Sequence, residues 1–322
     1  SETTFGGRPE LVNPKGGIDY GSLIYIALQR SKTAREAIQV MTTLVSEYGY
    51  YSSGESFSIA DPDEIWIMEM IGKGPDVKGA VWVAVRIPDD CIAAHANQSR
   101  IHTFPLNDKD NCIYSPDVIS FAREKNYFNG LNKEFSFTDA YCPVTYENLR
   151  ACEARVWSFF RRFQPSMESY LSYIKGESKQ PMPLYVKPEA KLSAQNLKDM
   201  MRDHYEGTEF DMTKDPGAGP FAVPYRWRPL TYKVDSVEYL NERAIATQQT
   251  GFSFVAQMRN WMPDPIGGVL WFGVDDAATS VYTPIYCGAK QVPFCYASGN
   301  GSLTSYSPQS FFWVNNQVAN MA

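Results

Sequence analysis

His95, Asn97, Gln98, Ser99 and Arg100 are the residues whose types and spacing best suit chemistry. They lie near the end of a long, mostly apolar stretch, residues 53–104. A side-chain amide at a strand end can donate to the oxyanion that develops on a carbonyl under attack, which makes Asn97 a candidate catalytic residue. An imidazole two positions away could take up a proton. Arg100 carries a planar fork able to hold a substrate carboxylate through two parallel bonds. The same five residues also suit an ordinary turn beside a packed histidine, and residue types alone leave both readings open.

Other constellations are poorer. A serine triad needs a nucleophile and a base in reach, and no GxSxG or similar elbow occurs. His204, in RDHYE, falls near an expected helix end, where a cap or a solvated position fits better than catalysis. The GAG run at residues 217–219 lacks the lysine-hydroxyl ending and the preceding strand of a phosphate loop, so it reads as structural. Six cysteines (Cys91, Cys112, Cys142, Cys152, Cys287, Cys295) are scattered without CxxC spacing, and only three histidines exist. No metal site is expected, and most of the cysteines read as buried free thiols.

The elements that must position the polar cluster are strands. Residues 56–61 and 64–71 flank a Pro62-Asp63 turn, and residues 80–87 and 91–97 flank a turn at Pro88-Asp89-Asp90. In the second strand Ile65, Ile67 and Ile71 alternate with Trp66, Met68 and Met70, so both faces are apolar, as in a layered sandwich. Glu69 alone puts a carboxylate on the isoleucine face and is expected to be paired or at the rim. Upstream, Thr33 and Glu36 form a capping box, apolar residues follow at helical spacing to Tyr48, and Gly49 supplies the stop. This helix is expected to pack on the strands.

Further helices are expected over residues 20–30, 118–124, 148–163, 167–174 and 193–206. Strands return at 250–259, 268–275 and 280–286 around Pro263-Asp264-Pro265. The expected organisation is a single domain with its core in 1–163 and 236–290. Residues 164–235 form a mostly helical insertion, and 305–322 begin a C-terminal helical region. The first residues read as the end of an internal strand and the last as an uncapped amphipathic segment, so truncation at both ends is expected.

The chain has 322 residues, 44% of them apolar, with a net charge of −6, which excludes the basic stripe of a nucleic-acid surface. No run of about 18 apolar residues marks a membrane span. Physical reasoning from residues stops at a large α+β protein of enzyme type.

Resemblance goes further. ETTFGGR (2–8), YYSSGESFSIADPDEIWIMEMIGKGP (50–75), HANQSRI (95–101), FAREK (121–125), CEARVW (152–157), MMRDHYEGT (200–208) and PDPIGGVLWFGVDD (263–276) resemble the dipeptidase A family, cysteine dipeptidases of the N-terminal-nucleophile hydrolase superfamily. The resemblance implies an α+β fold layered as a four-layer αββα sandwich. It implies a nucleophilic cysteine freed at a mature N-terminus, with its own α-amine as base, and no metal or organic cofactor. ETTFGGR resembles sequence well past the family's first hairpin, and none of the six cysteines stands in a first-strand context. The nucleophile is therefore expected upstream, and the chain alone is expected to be inactive.

By the same resemblance Asn97 matches the oxyanion asparagine, and Arg155, in CEARVW, matches an arginine at a helix start. Glu2 and Thr3 fall near another oxyanion-hole position, and Arg100 would bind a substrate carboxylate. The implied partner is a small peptide, with neither nucleic acid nor membrane, and a homo-oligomer is compatible. Exported bacterial relatives point to a periplasmic or extracellular location over a cytoplasmic one. A different linear-amide hydrolase of this fold (bile-salt or penicillin acylase-like) and a non-catalytic fragment are the rival readings.

Overall fold

The structure is a computed structural model that describes residues 1–226, 231–240, 242–247 and 249–322. The expected loop at 211–228 and the insertion at 164–235 run partly outside the described residues. The chain divides into two compact units, Ser1–Glu189 and Ala190–Ala322.

The first unit is built on an antiparallel sheet ordered β1-β2-β3-β4-β6. Its strands are β1 (Glu2–Phe5), β2 (Gly54–Ala60), β3 (Ile65–Gly72), β4 (Ala80–Ile87) and β6 (Cys112–Tyr114). A short β5 (Ile92–Ala93) pairs instead with β7 (Tyr185–Val186). The helices are α1 (Tyr20–Arg30), α2 (Ala34–Tyr48), α3 (Val118–Glu124), α4 (Phe137–Tyr141), α5 (Tyr146–Asn148), α6 (Ala154–Phe163) and α7 (Leu171–Ile174).

β3 lies between β2 and β4 and is apolar on both faces, as its alternation predicts. Trp66, Met68 and Met70 join Phe57 and Ile59 against Leu23 and Ala27 of α1 and Ile38, Met41 and Val45 of α2. Ile67 and Ile71 join Phe5, Val81, Val83 and Val85 against Val118, Phe121 and Ala122 of α3 and Phe137, Ala140 and Tyr141 of α4. Complete burial of side chains such as Met70 and Ile71, both 0% exposed, contributes about 1.5–3 kcal/mol each.

α2 starts where its capping box requires. Thr33 Oγ1 accepts from the Glu36 amide at 3.2 Å, and Glu36 Oε2 accepts from the Thr33 amide at 3.3 Å. Gly49 ends it at a φ of 90°. Asp61 ties this helix to the sheet: Oδ2 accepts from the Ala34 amide at 2.8 Å. Its Oδ1 closes the β2–β3 turn on the amides of Asp63 and Glu64.

Two expectations need correction. Residues 91–97 do not continue as a fourth strand of the sheet, and β6 takes that place beside β4. The cause is a turn and a distant acceptor: Asn97 adopts φ 64°, and the amides of Arg100 and Ile101 bond to the Glu69 carboxylate rather than to a strand. The helix expected over 193–206 ends at Met200, where the Asp203 amide turns back to the Met200 carbonyl and Tyr205 goes to φ 63°. The helical span over 148–163 opens with a wide π turn, Leu149–Glu153, before α6.

The second unit holds α8 (Ala194–Met200), the hairpin β8 (Thr231–Val234) and β9 (Val237–Leu240), then β10 (Phe252–Met258). It continues with α9 (Asp264–Gly267), β11 (Gly268–Val274), β12 (Thr283–Tyr286) and α10 (Phe311–Met321). The strands β10-β11-β12 form an antiparallel sheet of their own. The GAG segment is a tight structural turn, with Asp215 Oδ1 accepting from the Ala218 amide and from Arg226.

Candidate active site

Asn97 occupies a left-handed conformation that asparagine tolerates better than most residues. Its side chain is held at both ends. Nδ2 donates to the Thr4 carbonyl at 2.7 Å, and Oδ1 accepts from Arg155 Nη2 at 2.8 Å. A primary amide has two N–H groups, so the Thr4 contact leaves the second N–H for a further acceptor. Arg155 is itself fixed: Nη2 also donates to the Ala96 carbonyl at 3.0 Å, and Nε donates to the Ala151 carbonyl at 2.8 Å. Ala151 lies in the π turn, so the widened backbone before α6 is what receives the guanidinium.

His95 is wedged between two strands. Its Nδ1 lies 2.6 Å from Thr3 Oγ1 on β1, and its Nε2 lies 2.7 Å from Ser58 Oγ on β2. Burial, then the amino group of Ser1, then the Arg100 and Arg155 cations hold its pKa down to about 3, so the ring is neutral over the physiological range. A neutral ring between two hydroxyls pins residues 94–97 to the sheet. The sequence offered no partner for His95; both lie far away along the chain.

The structure thus brings together Thr3, Asn97 and Arg155. It does not bring Glu2 or Arg100 to the same place. Thr3 pairs with Ser56 across the ladder, while Glu2, one residue earlier, points to the opposite face, the one covered by α1 and α2. There Glu2 faces Glu55, whose carboxyl is pushed up to about 9, chiefly by burial and then by Glu2. Thr4 Oγ1 donates to Glu55 Oε1 at 2.8 Å.

Arg100, expected to face a substrate carboxylate, is 3% exposed and committed within the protein. Nε donates to Glu153 at 2.9 Å, Nη1 to the Ala94 carbonyl at 3.0 Å, and Nη2 to the Pro183 carbonyl at 3.0 Å. Its fork is engaged by a buried ion pair and main-chain acceptors, which corrects the expected role.

Peptidase family C69 matches residues 1–322. The chain belongs to this family. It is 29% identical over 299 residues to a probable dipeptidase of Salmonella dublin, covering 90% of this chain and 60% of that protein. It is 27% identical over 305 residues to a probable dipeptidase of Latilactobacillus sakei, covering 95% and 57%. To a probable dipeptidase B of Streptococcus pyogenes serotype M1 it is 24% identical over 305 residues, covering 94% and 56%. The chain therefore spans somewhat under two thirds of the length of these relatives.

Within this C69 chain, two participants escaped sequence reasoning. Glu153 stands two residues before Arg155 in CEARVW and faces Arg100. Ser58 supplies the second hydroxyl to His95. Neither signal is readable without the long-range contacts. Of the six free cysteines Cys112, Cys142 and Cys152 are buried, Cys91 and Cys295 half-buried and Cys287 exposed. Chiefly by burial, Cys112 is pushed up to about 12 and Cys142 is also raised. Among the described residues no group of three or more His, Cys, Asp or Glu side chains could hold a metal ion. Among the same residues no helix is long and apolar enough to cross a membrane.

Proposed function

We propose that this chain forms the body of a cysteine dipeptidase of the N-terminal-nucleophile type. The observation that carries the reading is the Asn97 amide, turned to φ 64°, oriented by Arg155 and left with one N–H. In this reading a cysteine supplied by a segment N-terminal to Ser1 attacks the carbonyl carbon of a dipeptide. The thiol proton passes through the cysteine's own α-amine to the leaving amine. The carbonyl oxygen gathers negative charge in the tetrahedral intermediate, and Asn97 Nδ2–H donates to it. The Arg155 cation adds favourable potential to that charge. A water then hydrolyses the thioester and frees the cysteine.

The names of the relatives support dipeptides as the substrate class, and peptidase family C69 supports amide hydrolysis. The reading includes a layered αββα arrangement in which both apolar faces of β3 are covered. It also includes a periplasmic or extracellular setting. The test is a substrate panel on the full-length protein, free dipeptides against acylated amines, with the first-strand cysteine replaced by alanine as control. Turnover of dipeptides that the Cys→Ala variant abolishes is expected. Turnover of acylated amines alone would replace the reading with a different amidase of the same fold.

A further inference from the structure

We propose that Glu69 is a positioning residue for the reaction centre, holding Asn97 in place through the backbone of residues 99–101. This rests on the reading of Asn97 as the oxyanion donor. Glu69 stands in the middle of β3, 0% exposed, on the face it shares with Ile67 and Ile71. A carboxylate there is costly unless it is fully bonded. Four donors meet it. Oε1 accepts from the Arg100 amide at 2.6 Å and from Ser56 Oγ at 3.3 Å. Oε2 accepts from Ser99 Oγ at 2.5 Å and from the Ile101 amide at 3.1 Å. Two donors on each oxygen fill the positions a carboxylate offers.

Two of those donors are main-chain amides that a strand would give to its neighbour. Here the chain has left the ladder because Asn97 turns it, and the Glu69 carboxylate takes the neighbour's part. Ser99 is further tied through its hydroxyl to Thr138 Oγ1 at 2.8 Å. Upstream, His95 is fixed between Thr3 and Ser58. Asn97 therefore sits between two anchored points, one of them made by Glu69.

A second route from the same carboxylate reaches the same amide. Glu69 fixes the Arg100 backbone, and the Arg100 side chain pairs with Glu153 at 2.9 Å. Glu153 is the last residue of the π turn whose Ala151 carbonyl seats Arg155, and Arg155 holds Asn97 Oδ1. An isoleucine at position 69 would continue the apolar face but would leave the amides of Arg100 and Ile101 buried without acceptors, freeing the segment that carries Asn97.

The test is a double-mutant cycle in the full-length protein with dipeptide substrate. Glu69→Gln keeps the shape but turns one acceptor into a donor that faces other donors. It should lower kcat about tenfold or more with KM within about twofold, because the lost interaction is made mainly in the transition state. In an Asn97→Ala background the same change should cost less than about twofold, since coupled residues are non-additive. An equal loss in both backgrounds, or a wild-type kcat in folded Glu69→Gln, overturns the proposal. Ser99→Ala withdraws one of the four donors and leaves the two main-chain amides on Glu69, and it serves in the same cycle if Glu69→Gln does not fold.

Wild-type kcat in Asn97→Ala would strike the reading of Asn97 rather than that of Glu69. A crystal structure of Glu69→Gln in the full-length protein decides the positioning claim without activity. Loss of the Asn97–Arg155 bond and of the left-handed Asn97 backbone is expected. Unchanged Asn97 geometry overturns it.

Discussion

Arg155 and Asn97 are joined by a bond of 2.8 Å from Nη2 to Oδ1, and the same nitrogen reaches the Ala96 carbonyl at 3.0 Å. A guanidinium has no acceptor, so it must meet the oxygen end of the amide. That contact decides which way Asn97 points its NH2, toward the Thr4 carbonyl and one free direction. In the proposed mechanism the free direction is where the oxyanion forms.

Asn97→Ala in the full-length protein should lower kcat by about 10²–10³ with little change in KM, the usual effect of removing one preorganised oxyanion donor. Asn97→Asp should be no better, because a carboxylate repels the developing charge. Steady-state kinetics on a free dipeptide check both, and full activity in either variant rules the role out.

Arg155→Lys keeps the charge but loses the fork that serves Asn97, Ala96 and Ala151 together. A lysine is not equivalent at such a site. A fall in kcat of about tenfold or more is expected with the circular-dichroism spectrum unchanged. Wild-type kinetics would show that charge alone suffices.

Two buried groups give opposite pH trends. Glu55 has an ordinary value of 4.5 and is raised to about 9 in the fold. Between those values the unfolded chain gives up a proton that the native protein keeps, so this contribution to stability falls as pH rises through 9. His95 is lowered from 6.5 to about 3. Between those values the unfolded chain binds a proton that the native protein refuses, so its contribution is complete above 6.5 and is lost as pH falls toward 3. Glu55→Gln should therefore flatten the decline of Tm above pH 6.5, and His95→Asn the decline below it. An unaltered alkaline limb in Glu55→Gln would exclude Glu55 as its source.

Thr33→Ala removes one half of the capping box at the start of α2 and should cost about 1 kcal/mol, within the range of roughly 0.5–2 for such caps. Urea unfolding should show a lower midpoint with an unchanged slope. A midpoint equal to wild type would mean that Asp61, which holds the Ala34 amide, secures the helix start unaided.

The parts legible in the sequence are those set by neighbours along the chain. The capping box of Thr33 and Glu36, the stop at Gly49 and the two-sided apolarity of β3 each rest on residues a few positions apart. The misread parts depend on partners far away. The extended run expected over 91–97 failed because Asn97 turns the chain and Glu69, some thirty positions upstream, captures the amides beyond it. Arg100 looked free for a ligand because Glu153 and the carbonyl of Pro183 are invisible from its own neighbourhood. Glu2 and Thr3 were taken together, yet strand alternation sends them to opposite faces once β1 is paired with β2. Asn97 is a candidate from its polar cluster and from family resemblance, Arg155 from resemblance alone, and their direct contact is visible only in the fold.

That alternation makes β1 self-proofreading. Thr3 meets His95, and the Thr4 carbonyl receives Asn97, only when Glu2 stands opposite Phe57. A slip of one residue along β2 would turn every β1 side chain to the other face. In one direction it would set the Glu2 carboxylate where the Thr3 hydroxyl meets the imidazole; in the other it would put Thr4 there and turn Phe5 out of the core it shares with Ile67 and Ile71. A misaligned β1 could still pair its backbone, but it would lose either the contact with His95 or the seat of Phe5. Alignment of this four-residue strand is thus fixed by its polar and its apolar face together.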